Sequence, residues 1–297
     1  RLQGDWSSDV CSSDLAYFEP IGKLAAEAAG NGPAPECVQD IRKLLEIKSI
    51  DAIVVATPDH WHALATIWGC QAGKHVYVEK PVSHNVAEGR RMVEAAAKFK
   101  RAVQTGTQSR SVPHMIEAIA YVQSGKIGKV HMARAFNSQL RRRVNAVADG
   151  QVPTTLDWDI WQGPAPERPF NTNRYSYGWR WYWDYGTGDM GNDGVHDLDM
   201  GLWGLNVGFV HPTRIAALGG KYFFDDDQQF PDTQTCLFEW DLPGGKRKQL
   251  IYEQRIWAPY VQEGYENGDG WYGTKGYVIG GKEAGWQMFE AKNKPVA

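Results

Sequence analysis

Two polar clusters follow apolar segments in the first third of the chain. Residues 51–56 read Asp-Ala-Ile-Val-Val-Ala and are followed by Thr-Pro-Asp-His-Trp-His at residues 57–62, while residues 75–78 are followed by Glu-Lys-Pro at residues 79–81. Ligands of open α/β sheets bind at the carboxyl ends of the strands. We therefore expect both clusters to line a cofactor or substrate site.

A third chemically rich segment, residues 186–199, combines several glycines with polar side chains. Asn192, His196 and Asp199 are spaced four and three residues apart, so they would share one face of a helix. Because histidine exchanges a proton near neutral pH, His196 is a candidate general base. Asp193 is either a helix cap or a substrate contact, and we expect Asp197 to face solvent.

Residues 175–185 are crowded with tryptophan and tyrosine around Arg180. Aromatic faces pack against sugar rings and stack on other rings, so Tyr175 and Trp181 are candidate substrate contacts. The same rings would equally well fill the core of a loop or a subunit interface. Both interpretations stay open at this point.

Composition excludes several classes of function. The net charge of −3 and the pI near 6.3 give no electrostatic footprint for nucleic acid or an anionic membrane. No apolar run approaches the roughly 20 residues that span a bilayer. The four cysteines are scattered, and His60 and His62 lack a third clustered ligand, so we predict neither a disulfide scaffold nor a metal site.

Short strands alternate with helices through the first part of the chain. The hydrophobic pattern predicts strands at residues 51–56, 75–78 and 102–105, and helices at residues 21–29, 36–47, 61–72, 85–100 and 113–123. The β-branched run at 51–56 is typical of a strand buried on both faces. This alternation predicts βαβ units and a parallel sheet.

The pattern changes after residue 128. We predict a strand at residues 129–136, a helix at residues 193–205, and strands at residues 213–218, 235–240, 249–255 and 276–279, joined partly by tight turns. Residues 138–178 show little periodicity and are too long for a passive connection. The predicted fold class is α/β: an incomplete Rossmann-like parallel-sheet domain at residues 16–126, then an α+β domain with a mostly antiparallel open sheet at residues 127–297.

Six motifs, in order along the chain, resemble those of the Gfo/Idh/MocA family, named for glucose-fructose oxidoreductase, inositol dehydrogenase and a rhizopine-catabolism protein. They are Ala-Thr-Pro at 56–58 with the following histidines, Ala-Gly-Lys-His-Val at 72–76, Glu-Lys-Pro at 79–81, Ser-Gly-Lys-Ile-Gly at 124–128, Trp-Arg at 179–180 and Gly-Val-His-Asp-Leu-Asp at 194–199. The resemblance runs from about residue 16 to the end. It implies NAD or NADP as cofactor, with NAD favoured, and hydride transfer to or from a secondary alcohol of a sugar, cyclitol or related polyol. It also implies a homo-oligomer formed through the C-terminal sheet.

The resemblance also implies roles for individual residues. Lys80 would contact the nicotinamide ribose and the substrate hydroxyl, His196 would act as acid/base, and Asn192 would lie beside them. The residues that would line the cofactor are Thr57, Pro58, His62, Glu79, Lys80, Pro81, Gln108, Trp179 and Arg180. Those that would contact substrate are Asp193, Tyr175 and Trp181. For His62, a hydrogen bond to backbone is an equal alternative to cofactor contact.

The chain departs from the family pattern in two places near these residues. Many members have Asp four residues before the histidine, where this chain has Asn192, which cannot ionise. We expect no Gly-x-Gly-x-x-Gly dinucleotide-binding turn anywhere in the chain, and no acidic residue ends a second strand ahead of residue 51. We expect about 30 residues of a βαβ unit to be replaced by the first segment of the chain. The functional expectation therefore concerns the parent enzyme, and we expect the chain itself to bind dinucleotide weakly or not at all and to be inactive.

Both ends of the sequence differ from what the family leads us to expect. Residues 1–15 repeat a Ser-Ser-Asp unit, lack a hydrophobic period and lack the features of a signal peptide, so we expect a non-native or disordered segment and can assign no compartment. Family members commonly continue with a further helix and strand beyond the predicted strand at residues 276–279. The C-terminal domain is therefore expected to be truncated.

Two other functions remain open on the same residues. One is a glycosidase that keeps NAD bound and oxidises its substrate transiently, which suits the aromatic segment. The other is a sugar-binding relative that does no chemistry, which Asn192 keeps open. Glu79, Lys80 and Pro81 favour the dehydrogenase.

Overall fold

A computed structural model of the chain describes residues 14–28, 37–258, 260, 264–283 and 285–296. The backbone divides into two compact units. The first contains the described part of residues 1–106 together with Asn145–Thr187, and the second contains Thr107–Val144 and the described part of residues 188–297. The predicted domain division at residues 126/127 stays a prediction.

The first unit is built on a three-stranded parallel sheet. Strands β1 (Ala52–Val55), β2 (His75–Val78) and β3 (Val103–Thr105) are neighbours in that order. The helices of this part are α1 (Phe18–Ala28), α2 (Ile41–Glu46), α3 (Asp59–Gln71) and α4 (Val86–Phe99). The predicted Rossmann-like parallel sheet is therefore confirmed.

Local sequence signals explain several of these elements. Asn85 caps α4 by accepting a hydrogen bond from the backbone N–H of Glu88. Helix α2 begins only at Ile41, capped by Asp40, so the predicted helix at residues 36–47 was too long; residue 36 lies outside the described residues, as does residue 29 of the first predicted helix.

The sheet of the first unit is covered on one face. Ile53 and Val55 of β1 are buried with Val76 and Val78 of β2, whereas Val54 is 72% exposed. The prediction that the strand at residues 51–56 is buried on both faces is wrong for this chain. Its alternate side chains face solvent among the described residues.

The long segment Asn145–Thr187 forms an aromatic core of its own in the first unit. It contains α6 (Trp158–Gln162) and a 3-10 helix (Gly178–Trp181). Trp158 and Trp161 stack with ring centroids 4.7 Å apart. The buried members of this core are Leu156, Trp158, Trp161, Phe170, Trp179, Tyr182 and Tyr185. Most of the rings in the predicted aromatic segment therefore fill a loop core, while Trp183 is 57% exposed.

The second unit is built on an eight-stranded sheet. Its elements are α5 (Pro113–Gln123), β4 (Val130–Ser138), α7 (Gly188–Asn192), α8 (Gly194–Leu205), β5 (Arg214–Gly220), β6 (Thr233–Leu242), β7 (Lys246–Arg255), β8 (Asn267–Gly273), β9 (Tyr277–Gly281), β10 (Gly285–Glu290) and β11 (Lys294–Val296). The strand order is β11-β10-β9-β8-β4-β7-β6-β5. Only β4 and β7 pair in parallel among these described strands, so the predicted mostly antiparallel sheet is confirmed.

Helix α8 lies directly on this sheet. A side chain at Gly194 would collide with the Tyr252 hydroxyl, and one at Gly204 would collide with the Trp271 indole. Helix and strands can approach this closely only because both positions are glycine. The core beneath includes Ala133, Ala135 and Leu250.

Residues 1–13 of the predicted non-native segment lie outside the described residues. Asp14 and Leu15, its last two residues, are described. Asp14 forms an isolated bridge with Leu156, and the Leu15 N–H donates to the Thr155 carbonyl at 3.0 Å. Within the described ranges, no helix combines the length and the apolar character needed to cross a membrane.

Candidate active site

The two predicted polar turns follow neighbouring strands of the first unit. Thr57 and Pro58 lie between β1 and α3, and Glu79, Lys80 and Pro81 follow β2, with a cis peptide bond between Lys80 and Pro81. β1 and β2 run parallel, so both turns leave the same edge of the sheet. The structure thus brings the N-terminal group of candidate residues together.

Glu79 fits against the turn that follows β3. Its carboxylate accepts from the Lys80 backbone N–H at 3.2 Å. A Cβ added at Gly106 would lie 3.0 Å from that carboxylate. Gly106 was not singled out in the sequence, and its lack of a side chain is what makes room for Glu79 there.

His62 bridges the two turns. Its ring is 1% exposed, with Nδ1 2.6 Å from the Pro81 carbonyl oxygen and Nε2 2.7 Å from the Thr57 carbonyl oxygen. Both contacts are to backbone carbonyl oxygens, which agrees with the alternative interpretation that His62 hydrogen-bonds to backbone. Its predicted contact with cofactor stays a prediction.

Asp59 is a buried carboxyl group that the sequence analysis did not select. It begins α3, is 3% exposed and accepts a hydrogen bond from the Thr187 hydroxyl at 2.7 Å. Burial raises the pKa of Asp59, and the positive charges of His62, Lys80 and Arg180 oppose that rise. The sequence signal was its place at the start of a helix, directly after Thr-Pro.

His60 lies in the same helical turn but faces the aromatic core. Its Nε2 is 3.0 Å from the Trp161 carbonyl oxygen and its Nδ1 is 3.3 Å from that of Tyr185. Burial lowers the pKa of His60 to about 4, so this ring is neutral near pH 7. Among the described residues no group of His, Cys, Asp and Glu is arranged to hold a metal ion.

Trp179 and Arg180 are both buried in the first unit. The Arg180 guanidinium lies 4.2 Å from the Tyr177 ring centroid and 4.4 Å from that of Trp179, and it donates to the Tyr177 carbonyl at 3.0 Å. These contacts fix the planar cation between two rings. A role for Trp179 or Arg180 at the cofactor stays a prediction.

The two aromatic candidates for substrate contact are also packed among other rings. Trp181 is 6% exposed, and its ring centroid lies 5.4 Å from that of Tyr177. The Tyr175 hydroxyl donates to the Asp14 carboxylate, and its ring meets Trp161 edge-on. Their substrate roles stay predictions.

In the second unit, the predicted helix at residues 193–205 is split from the residues before it. Asn192 is the last residue of α7, and His196 lies in the first turn of α8, with Asp193 between the helices. His196 and Asp199 are three residues apart within α8, whereas Asn192 belongs to α7, so the predicted single helix through all three does not form. Asp199 instead accepts two hydrogen bonds of 2.7 Å from Arg110.

Arg141 holds the joint between α7 and α8. It donates to Asp189 of α7 at 2.7 Å and also to Asp193. Asp193 occupies the N-cap position of α8, as predicted, but its side chain makes no cap hydrogen bond. Neither Arg141 nor Asp189 was singled out in the sequence, because residue 141 falls in the stretch without periodicity.

Asp197 is buried, so the prediction that it faces solvent is wrong. Burial and the neighbouring Asp193 raise its pKa well above the usual range, while Lys282 acts in the opposite direction. Asp269 of β8 is 1% exposed, and burial together with Asp197 and Asp199 raises its pKa as well. Strand β8 packs against α8, so the burial of Asp197 could not be predicted from the sequence pattern of α8 alone.

Gln108 was a candidate cofactor contact. The structure places it, exposed, at the start of a 3-10 helix (Gln108–Ser111) in the second unit. Lys80 belongs to the first unit and His196 to the second. The roles of all these residues at a bound cofactor or substrate stay predictions.

Gly-x-Gly-x-x-Gly does occur twice in the chain, at residues 186–191 and 268–273. The first copy leads into α7 and the second lies within β8. Neither lies between a strand of the parallel sheet and its following helix, which is the context of a dinucleotide-binding turn. These glycines therefore do not indicate a dinucleotide-binding turn.

Two family models match the chain. An oxidoreductase family model with an NAD-binding Rossmann fold matches residues 11–107, and the C-terminal alpha/beta domain of an oxidoreductase family matches residues 126–223. Together they account for about two-thirds of the chain.

Curated relatives match over part of their length. A levoglucosan dehydrogenase of Pseudarthrobacter phenanthrenivorans is 31% identical over 125 residues, which is 42% of this chain and 32% of the relative. An inositol 2-dehydrogenase of Corynebacterium glutamicum is 28% identical over 123 residues, or 41% of this chain and 36% of the relative. The matched stretch thus spans about a third of each relative's length.

Solved structures share the fold over most of the chain. A levoglucosan dehydrogenase in complex with NADH and levoglucosan has a TM-score of 0.63 at 18% identity, covering 93% of this chain and 65% of that one. A dehydrogenase of Bordetella pertussis in complex with NADH and UDP-GlcNAcA has a TM-score of 0.62 at 21% identity, covering 88% of this chain and 68% of that one. Both family domains, in order and on this fold, place the chain in the Gfo/Idh/MocA family of oxidoreductases.

Proposed function

We propose that the protein transfers a hydride between NAD(P) and a secondary alcohol of a sugar, cyclitol or related polyol. The observation that carries this proposal is the pair of polar turns after β1 and β2, with Lys80 on one and Thr57 on the other, in a chain of an NAD-binding oxidoreductase family. Polar groups at the carboxyl edge of a parallel sheet are where such a fold binds its nucleotide.

The residues present fit the nicotinamide half of a dinucleotide. The Thr57 hydroxyl is buried and has no hydrogen-bond partner among the described residues, so a ribose hydroxyl would satisfy it. Glu79 and the ammonium of Lys80 supply an acceptor and a cation at the same sheet edge. The adenosine half has no matching turn ahead of β1, so we propose that this chain alone binds dinucleotide weakly.

When bound, the nicotinamide ring accepts or donates the hydride. Lys80 would place its positive charge beside the reacting oxygen and stabilise the developing alkoxide. His196 would take the hydroxyl proton as the carbon–hydrogen bond breaks and would return it in the reverse direction. Asn192 can orient a hydroxyl by hydrogen bonding but cannot carry the proton.

The relatives support the class of substrate and the choice of cofactor. Named relatives act on levoglucosan and inositol, and two solved neighbours contain NADH. One relative of 26% identity is a scyllo-inositol 2-dehydrogenase that uses NADP. We favour NAD, and we further propose that the open sheet of the second unit forms a homo-oligomer.

The test is turnover with NAD or NADP and a panel of cyclitols and anhydrosugars, measured on the parent enzyme because this chain alone is proposed to bind dinucleotide weakly. We expect net NADH formation, reduced about 10²- to 10⁴-fold in Lys80→Met and in His196→Gln. The matched controls are Lys98→Met and His131→Gln, at exposed positions, which should leave the rate unchanged. Free sugar without net NADH would support the glycosidase instead, and binding without turnover would support the sugar-binding relative.

The weak-binding proposal needs a separate titration of NADH against this chain. A micromolar dissociation constant would contradict it. Because that titration measures affinity and not turnover, its result is independent of the choice of polyol.

A further inference from the structure

The ring of His62 contacts two groups that can only accept hydrogen bonds. The carbonyl oxygens of Pro81 and Thr57 lie 2.6 and 2.7 Å from its two nitrogens. A carbonyl oxygen has no proton to give, so each contact requires an N–H on the ring. A neutral imidazole has one N–H and would point a lone pair at the second oxygen.

We propose that the folded protein holds His62 as an imidazolium, and that His62 is a positioning residue that ties the Thr57 turn to the Lys80–Pro81 turn. Both ring nitrogens then donate, and the two turns are cross-linked through one buried side chain. The role at Lys80 rests on the proposed function. The protonation state does not.

A buried cation needs nearby compensation, and Asp59 provides it. Asp59 and His62 are three residues apart in the first turn of α3, so they lie on one face of the helix. Both are buried, at 3% and 1% exposure. Lys80 and Arg180 also act on Asp59, and His60 interacts with His62 and with His84.

His60 provides an internal contrast. It is also buried and also lies between two carbonyl oxygens, at 3.0 and 3.3 Å. Only the shorter contact lies within the range of about 2.7–3.2 Å typical of an N–H···O hydrogen bond, so one N–H is enough for His60. The positive charges of His84 and His62 disfavour a charge on His60. The ring of His60 is thus neutral, and the ring of His62 carries the charge.

Loss of the His62 proton would remove one of the two hydrogen bonds. A neutral His62 ring would then donate to only one of the two carbonyl oxygens and would no longer connect the Thr57 turn to the Lys80–Pro81 turn. The position of the Lys80 backbone therefore depends on the protonation of His62.

The test is nuclear magnetic resonance of the unaltered protein with nitrogen-15 histidine. At a pH of about 8, above the ordinary histidine pKa of about 6.5, we expect two N–H groups on His62 and one on His60. Through-bond correlation to the backbone assigns the rings without any variant. One N–H and one lone-pair nitrogen on His62 at that pH would overturn the inference.

A second readout tests the positioning role. The carbonyl carbons of Thr57 and Pro81 should shift over the same pH range in which His62 loses its proton, while that of Trp161 should not. Carbonyl shifts that do not follow His62 would show that the ring does not tie the turns together.

Activity supplies a third arm. In the parent enzyme, His62→Gln should weaken NADH binding about tenfold, whereas the control His211→Gln should not change it. If the unaltered protein turns over no polyol, the proposed function fails, yet the ring nitrogens of His62 still decide this inference.

Discussion

Both units bury a carboxyl group in the first turn of a helix, but they compensate it in opposite ways. In the first unit, burial raises the pKa of Asp59, and His62, Lys80 and Arg180 oppose that rise. In the second unit, burial raises the pKa of Asp197, and the neighbouring carboxyl of Asp193 adds to it. Cations of the first unit therefore oppose part of the rise in pKa that burial causes, whereas a neighbouring carboxyl of the second unit adds to that rise.

This contrast indicates at which buried carboxyl groups a change of pH should alter the stability of the protein. A carboxyl surrounded by cations tolerates neutral pH because its charged form has partners. A carboxyl buried beside other carboxyls is favourable only while it is protonated. Three substitutions test the comparison, and they differ in the size of the expected effect.

Arg141→Met should have the largest effect. Arg141 pairs with Asp189, whose side chain is 0% exposed, and with Asp193. Removing one partner of a buried pair leaves an uncompensated charge, which typically costs about 3–5 kcal/mol. We expect a loss of that order in the free energy of unfolding, measured with denaturant at neutral pH.

The matched control is Arg214→Met, in an exposed ion pair with Glu239 and Asp241. Water and salt screen such pairs, so this variant should unfold like the unaltered protein. Equal losses in the two variants would show that Arg141 compensates nothing buried. The buried carboxyl of Asp189 would then gain no stabilisation from a cation, in contrast to that of Asp59 in the first unit.

Thr187→Val should have a smaller effect, in the first unit. It removes the 2.7 Å hydrogen bond to Asp59 but nearly preserves side-chain volume. A hydrogen bond to a charged group contributes about 1.5–3 kcal/mol. We expect a loss in that range, increasing as the pH rises, because the pKa of Asp59 would rise further in the variant.

Thr213→Val is the control for this change. The Thr213 hydroxyl donates to the Glu239 carbonyl at an exposed position, where water can replace it. Chemical denaturation at two pH values distinguishes the variants. A pH-independent deficit in Thr187→Val would mean that Asp59 carries no charge in the folded protein.

The sequence predicted the elements that local signals determine. Asn85 and Glu88 identify the start of α4, and the predicted bounds of β2 at His75–Val78 agree with the structure. Strand β8 was missed because its sequence, Asn-Gly-Asp-Gly-Trp-Tyr-Gly, has weak strand propensity. Its pairing with β4 and β9 comes from distant parts of the chain and leaves no local pattern.

The candidate site shows the same limit. Residue types, spacing and the family resemblance selected Lys80 and His196 as candidates, and their roles stay predictions. They did not identify the burial of Asp197, which needs β8, or the contacts of Arg141, which lies in a segment without periodicity. Side chains whose roles depend on non-local packing require the structure.

Asp269→Asn should have the smallest effect of the three substitutions at acid pH. It tests directly whether the buried carboxyl of Asp269 is protonated in the folded protein. The folded-state pKa of Asp269 is raised by burial, Asp197 and Asp199, so it exceeds the unfolded value. Its contribution to stability is therefore complete below the unfolded pKa and is lost as pH rises through the folded pKa. Asparagine has nearly the same shape and cannot ionise, so at acid pH we expect a change below about 1 kcal/mol. As the pH rises, the unaltered protein should lose stability faster than the variant, and the two curves of unfolding free energy should converge or cross.

The control is Asp51→Asn, at an exposed position. Its unfolding free energy should differ from that of the unaltered protein by the same amount at every pH. Parallel curves for Asp269→Asn across the whole pH range would mean that the carboxyl is ionised in the folded state, and the contrast between the two units would disappear.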